Sequence, residues 1–252
     1  MGACLDGLLP LLLSPFIGSF LGVVIRRLPL GRPIAVAQSE CEGCGRALLA
    51  RDLVPLLSYV LLRGRCRFCR AGIERFHVGI ELAAIAVAAW ATLAVPGGNA
   101  AALWVDCVLG WWLLALAWID WDHLRLPNVL TLPLVVAGLL ATWALEPDAT
   151  ADHAAAAAIA YSAFRGIAFI YRLLRGREGL GQGDAKLLAA SGAWVGLAGL
   201  PGVVLGAALT GLVVALGMRI VRRTAGDVPI PFGPHLALAT LVVRVYGGGE
   251  LG

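Results

Sequence analysis

The chain is a succession of about eight apolar runs, most of them near the roughly 20 residues a helix needs to cross a bilayer. They lie near 8–25, 78–95, 101–119, 128–145, 154–171, 186–200, 203–218 and 229–246. In hydrocarbon every backbone amide and carbonyl must find its partner within the protein, so runs of this kind become helices. Charged residues make up only 14% of the chain and hydrophobic ones 60%, where a soluble domain carries about 25% charged residues. The expected class is all-α: a polytopic membrane helix bundle of about eight transmembrane helices. The sixth run is short and Gly-rich, and Pro201-Gly202 separates it from the seventh. The two form either separate spans or one broken span.

Orientation follows from the basic residues, which favour the cytoplasmic loops. With the N-terminus outside, Arg26, Arg27, the segment 29–76, Arg125, Arg172, Arg175, Arg177, Lys186, Arg219, Arg222 and Arg223 all face the cytoplasm. Of the 20 Lys and Arg residues only Arg165 and Arg244 fall elsewhere. Pro96-Gly97-Gly98-Asn99 and Glu146-Pro147-Asp148, which become outer connections, carry no basic residue. The net charge of +4 therefore reports membrane orientation and not affinity for nucleic acid. Arg26-Arg27 follows the first apolar run instead of preceding it, which fits a retained first helix over a cleaved signal.

The one sizeable polar stretch holds Cys41-Glu42-Gly43-Cys44 and Cys66-Arg67-Phe68-Cys69. Two C-x-x-C pairs roughly 20 residues apart have the spacing of a four-cysteine zinc site. Each pair presents two thiolates and two pairs complete a tetrahedron. Arg46, Arg65, Arg67 and Arg70 are expected to lower the thiol pKa values. A cytoplasmic location is reducing and disfavours the rival reading, two disulfides. The expected organisation is a first transmembrane helix (1–28), a small cytoplasmic zinc-binding segment of four cysteines (29–77) and a multi-helix membrane domain (78–252). Cys4 and Cys107 sit in or beside apolar runs and read as packing residues.

Carboxylates at membrane depth are costly and mark function by default. Asp120 closes one apolar run, within Ile119-Asp120-Trp121-Asp122-His123, and Asp184 opens another, within Gly181-Gln182-Gly183-Asp184. Both fall on the predicted cytoplasmic side. Gly181 and Gly183 allow a sharp turn and close approach of a second chain. Asp184 then meets the positive end of a helix dipole. Lys186 either biases the pair toward ionisation or anchors the interface. Asp122, two residues away, competes with Asp120 as the functional carboxylate and is otherwise a structural or substrate-binding partner.

In its order of motifs the chain resembles the bacterial type IV prepilin peptidases. The resemblance rests on Pro15-Phe16-Ile17-Gly18-Ser19-Phe20-Leu21-Gly22, on Pro55-Leu56-Leu57-Ser58-Tyr59 within the double C-x-x-C segment, on Ile119-Asp120-Trp121-Asp122-His123 followed by Leu126-Pro127-Asn128, on Gly181-Gln182-Gly183-Asp184-Ala185-Lys186, and on Pro229-Ile230-Pro231-Phe232-Gly233-Pro234. It departs from that family's pattern at Gly22, where the family usually has Asn, at Glu42, where Pro is common, and at Phe76-His77-Val78. The resemblance implies a membrane aspartic endopeptidase of the inner membrane, its active site facing the cytoplasm. Its catalytic residues would be Asp120 and Asp184, and its substrates the leaders of prepilins or pseudopilins held in membrane lipid. It also implies N-methylation of the new N-terminus by S-adenosylmethionine, involving Glu81 and the zinc-bearing segment. The departures lie in the part tied to methyl transfer, so a peptidase without that activity is the first alternative. A small transporter using the aspartates as an ion relay is the second.

Overall fold

In the computed structural model, described for residues 2–34, 39–41, 43–94, 99–176, 181–222 and 230–247, the chain is helical. Its helices are α1 (Gly2–Arg27), the short α2 (Leu57–Leu61), α3 (Arg75–Ala94), α4 (Ala100–His123), α5 (Asn128–Leu145), α6 (Thr150–Arg175), α7 (Gln182–Arg222) and α8 (Gly233–Gly247). Among the described residues six helices are long and apolar enough to cross a membrane, rather than the eight expected. The difference lies in α7, which carries the sixth and seventh runs together, and in α8, which has 15 residues. Glu42, Pro96, Gly97, Gly98, Arg177, Arg223 and Pro229 lie outside the described residues, as does the side chain of Cys4.

The chain divides into two compact units, Met1–Trp111 and Trp112–Gly252. In the first, α1 and α3 pack antiparallel. A Cβ on Gly18 would sit 2.6 Å from the Glu81 Cα, and one on Gly7 would sit 2.9 Å from Thr92. Small residues at such crossings let backbones approach without a hydrophobic driving force. Trp111 Nε1 donates to the Ala84 carbonyl at 2.9 Å, joining the start of α4 to α3.

In the second unit α7 is packed by α5, α6 and α8. Trp194 Nε1 donates to Leu134 O at 2.9 Å, and Ser191 and Thr240 share a buried hydroxyl contact at 2.6 Å. A straight helix of 41 residues would be about 60 Å long. Yet Gly199 lies against Val243, Gly206 against Ala239 and Gly211 against His235, so 197–222 runs down α8, while 182–195 runs up it with Ser191 beside Thr240. The chain reverses at Gly196, where φ is 68° and ψ −177°. Asp152 holds the reversal, its Oδ2 accepting from the Leu197 amide at 2.9 Å. A Cβ on Gly196 would fall 2.6 Å from that oxygen. The expected break is therefore real but displaced: Pro201 lies inside the descending half, near its start, where proline is better tolerated.

Candidate active site and metal centre

The reversal decides which side chains meet. It makes 182–195 and α8 parallel, so both helix N-termini lie at one end of the second unit, where α4 finishes. Asp120, on the last turns of α4, is 5% exposed, and its Oδ2 accepts a hydrogen bond from the Gly233 amide at 2.8 Å. Gly233 opens α8 within the Pro231–Pro234 turn. A Cβ there would lie 2.6 Å from the Asp120 Oδ2, so the contact requires glycine. Sequence reasoning singled out this turn as a motif but missed its amide as a donor.

Asp184 is half-buried in the first turn of α7 and takes a hydrogen bond from the Gly181 amide three residues earlier. That is the return half of a capping box, with the carboxylate reaching back to the N-cap amide. The two carboxylates are near enough to interact electrostatically. Each is thus gripped by a helix N-terminal amide, where the backbone dipoles favour negative charge. Gly183 lets the turn seat on Leu126, 2.9 Å from where its Cβ would be. Lys186 donates to Asn128 Oδ1 at 2.6 Å, tying α7 to the start of α5. Asp122 and His123 are exposed, and Asp122, two positions on from Asp120, faces the other side of the helix.

In the first unit Glu81 is buried on α3. Its Oε2 accepts from the Leu56 amide at 2.8 Å, and Ser19 of α1 also hydrogen-bonds it. Leu56 adopts φ 57°, a left-handed conformation for a branched residue. The carboxylate thereby ties the segment between the two cysteine pairs to both α1 and α3.

The four sulfurs of Cys41, Cys44, Cys66 and Cys69 lie within 4.8 Å of one another. The two pairs fold alike. Cys41 N donates to Arg46 O and Gly45 N to Cys41 O, just as Cys66 N donates to Ala71 O and Arg70 N to Cys66 O. Gly45 and Arg70 occupy the left-handed position of each turn. Cys41 and Cys69 sulfurs are 3.7 Å apart, too far for a disulfide of about 2.05 Å. Four thiols on a tetrahedron of about 2.3 Å bonds would stand near that separation, so the residues fit a metal ion. The arginines do not act as expected. Arg67 pairs with Asp52 at 2.8 Å and Arg46 stacks on Phe68. The Cys66 thiol is lowered to about 6 chiefly by the backbone amides of Cys69 and Phe68. Cys69 is held down by the Ala71 amide but pushed up to about 11 overall by burial and by the neighbouring thiols.

Fold and site define a multi-pass helical membrane protein with an amide-anchored carboxylate pair in one unit and a metal-competent cysteine cluster in the other. The profile of the Type IV leader peptidase family matches residues 107–216, and that of the Bacterial Peptidase A24 N-terminal domain matches residues 12–95. The chain is 38% identical over 262 residues to a prepilin leader peptidase/N-methyltransferase of Aeromonas hydrophila, covering 94% of this chain and 89% of that protein. It is 41% identical over 264 residues to one of Burkholderia pseudomallei (strain K96243), covering 94% and 84%, and 40% identical over 266 residues to one of Dickeya chrysanthemi, covering 94% and 93%. No solved structure matches. The chain belongs to the Type IV leader peptidase family.

Proposed function

We propose that the protein is a prepilin peptidase of the cytoplasmic membrane that cuts the leader of prepilins or pseudopilins on the cytoplasmic side and then methylates the new N-terminus. The observation that carries the peptidase reading is that Asp120 and Asp184 lie near enough to interact electrostatically, each held by a helix N-terminal amide. Two close carboxylates do not ionise equally, so one serves as base to water while the other donates a proton to the scissile carbonyl. The amides of Gly233 and Gly181 each occupy one side of a carboxylate and fix its direction. The remaining carboxylate oxygens would hold the water and the peptide. Charge that grows on the pair is met by the positive ends of α7 and α8. The acid and base roles belong to the pair and not to either residue alone. Gly181, Gly183 and Lys186 support the turn, while Asp122, on the other side of α4, has no part in the carboxylate pair. The basic residues predicted for the same face support a cytoplasmic position for this end of the unit.

The relatives carry N-methyltransferase in their names, and this second activity is assigned to the first unit. S-adenosylmethionine supplies an electrophilic methyl group when bound. Glu81 offers a fixed, buried carboxylate of the kind a sulfonium or an ammonium pairs with. Zinc held by Cys41, Cys44, Cys66 and Cys69 stabilises the segment that presents the Leu56 amide to Glu81.

The test is cleavage of a leader-bearing substrate by the purified protein in detergent. Asp120→Asn and Asp184→Asn are each expected to abolish it. Intact cleavage by either variant sinks the aspartic mechanism. Wild-type protein that never cleaves would return the ion-relay reading.

A further inference from the structure

The short helix α2, between the two cysteine pairs, presents an apolar face that its own segment leaves uncovered. Leu57, Val60 and Leu61 are 55%, 68% and 72% exposed. Their spacing, i, i+3 and i+4, puts them on one side of the helix. Tyr59 turns the other way and packs beneath Gly64, 2.9 Å from where an added Cβ would be. A helix of a water-bathed segment carries polar side chains on its outward face.

The depth at which α2 is anchored decides what meets that face. Arg26, at the end of α1, pairs with Glu74, just before α3, and such a charged pair belongs at the membrane border. Ser19 precedes Arg26 by seven residues and Glu81 follows Glu74 by seven. Both therefore lie about 10 Å further in. The helix α3 has 20 residues, about 30 Å, which is no more than the hydrocarbon core requires, so it cannot rise to bring Glu81 into water. Phe20 beside Ser19 and Leu82 beside Glu81 are large, apolar and exposed, as side chains facing lipid are. Glu81 accepts the Leu56 amide at 2.8 Å. Its side chain leans back toward the start of α3, which raises this contact but leaves it below the ion pair. Leu56, which immediately precedes α2, is thus held beneath the border. The helix is only about 8 Å long, so its apolar face stays near that depth.

The charges around α2 agree. Arg51 before it and Arg63 and Arg65 after it are exposed, and among the described residues no carboxylate pairs with them. Nearby acids are engaged elsewhere, Asp52 with Arg67 and Glu74 with Arg26. An apolar helical face flanked by cations suits an anionic lipid surface.

We propose that α2 lies in the membrane surface: Leu57, Val60 and Leu61 enter the boundary of acyl chains and headgroups, and Arg51, Arg63 and Arg65 meet the phosphates of anionic lipids. The four-cysteine segment is thereby seated on the bilayer instead of standing off in water. The inference rests on α1 and α3 spanning the membrane and on neither enzymatic activity.

The experiment places a fluorescent amino acid at 61, or at exposed Ala47 on the first cysteine turn, in the full chain reconstituted into phosphatidylglycerol-containing vesicles. Lipids brominated on their acyl chains should quench the probe at 61 roughly threefold more than the one at 47, and iodide present on both sides should show the reverse order. Iodide quenching at 61 as strong as at 47 would place the face in water and overturn the proposal. A probe at 61 reached by neither quencher would show a protein surface or a second copy covering it, and would overturn it equally. In the Arg51→Gln, Arg63→Gln, Arg65→Gln variant, bromolipid quenching at 61 should fall roughly twofold, as it should in wild type with only zwitterionic lipid. Quenching indifferent to headgroup charge would overturn the role given to the arginines. Both enzymatic activities can be absent without altering any of these readings, so failure of the proposed function and failure of this inference are separate results.

Discussion

Gly233→Ala separates the amide–carboxylate contact from every other feature of the site. The added Cβ would stand 2.6 Å from the Asp120 Oδ2, 2.9 Å from its Cγ and 3.1 Å from its Cβ. Asp120 is 5% exposed and has little room to withdraw. The carboxylate must therefore rotate or α8 must slide, and either motion breaks the 2.8 Å bond from the residue 233 amide. A hydrogen bond to a charged group contributes about 1.5–3 kcal/mol. If that bond orients the pair in the transition state, kcat falls roughly 10- to 150-fold. Overpacking adds about 1–3 kcal/mol against the fold, so thermal unfolding in detergent is measured beside turnover. Gly166→Ala is the control. No atom lies within 4 Å of its added Cβ, and a helical glycine gains about 0.5–1 kcal/mol on becoming alanine. Wild-type kcat in folded Gly233→Ala refutes the orienting role. Equal losses in both variants would show that the bilayer-facing fold, and not the contact, was disturbed.

Three further outcomes are expected. Gly196→Ala meets Asp152 and His153 in a left-handed conformation and should lower thermal stability by about 2 kcal/mol or more, whereas Pro201→Ala should change it by less than about 1 kcal/mol; the reverse order in a detergent melting series places the break at the proline. Protein purified under reducing conditions should carry about one zinc per chain by elemental analysis, lost in Cys66→Ser, and chelation should loosen residues 39–72 toward protease first. Glu81→Gln keeps an acceptor for the Leu56 amide but removes the charge, so mass spectrometry should find cleaved substrate with methylation slowed roughly tenfold or more. Full methylation by that variant removes Glu81 from the second activity.

Much of this architecture was legible because a bilayer leaves few choices. Apolar length gave the helices, and C-x-x-C spacing gave a cluster whose four sulfurs do gather. The misread details are those that depend on tertiary partners. The arginines beside the cysteines read as thiol activators, but the heads of Arg67 and Arg46 go to Asp52 and Phe68, and backbone amides lower the Cys66 thiol instead. Gly22 and the Phe76–His77 stretch read as two separate departures from the family pattern. They are one place: a Cβ on Gly22 would lie 3.7 Å from Phe76 and 3.8 Å from His77.

The turn of α7 explains why the pairing itself was hidden. Proline announces itself in a sequence, so Pro201 attracted the break. Gly196 is one glycine among several in its stretch, and only the Asp152 carboxylate and the His153 ring packed on it reveal why it alone is left-handed. A break at Pro201 would lengthen the ascending half by a turn and shift the descending half against α8. The contacts of Gly206 with Ala239 and of Gly211 with His235 set that register. The entry of α8 follows from it, and with the entry goes the amide that grips Asp120. Residues at the turn of α7, at the far end of the second unit from the aspartates, thereby fix which backbone group meets a carboxylate. It follows that damage at Gly196 should appear in turnover as well as in stability, through the same Gly233 contact that a single methyl group on residue 233 would break.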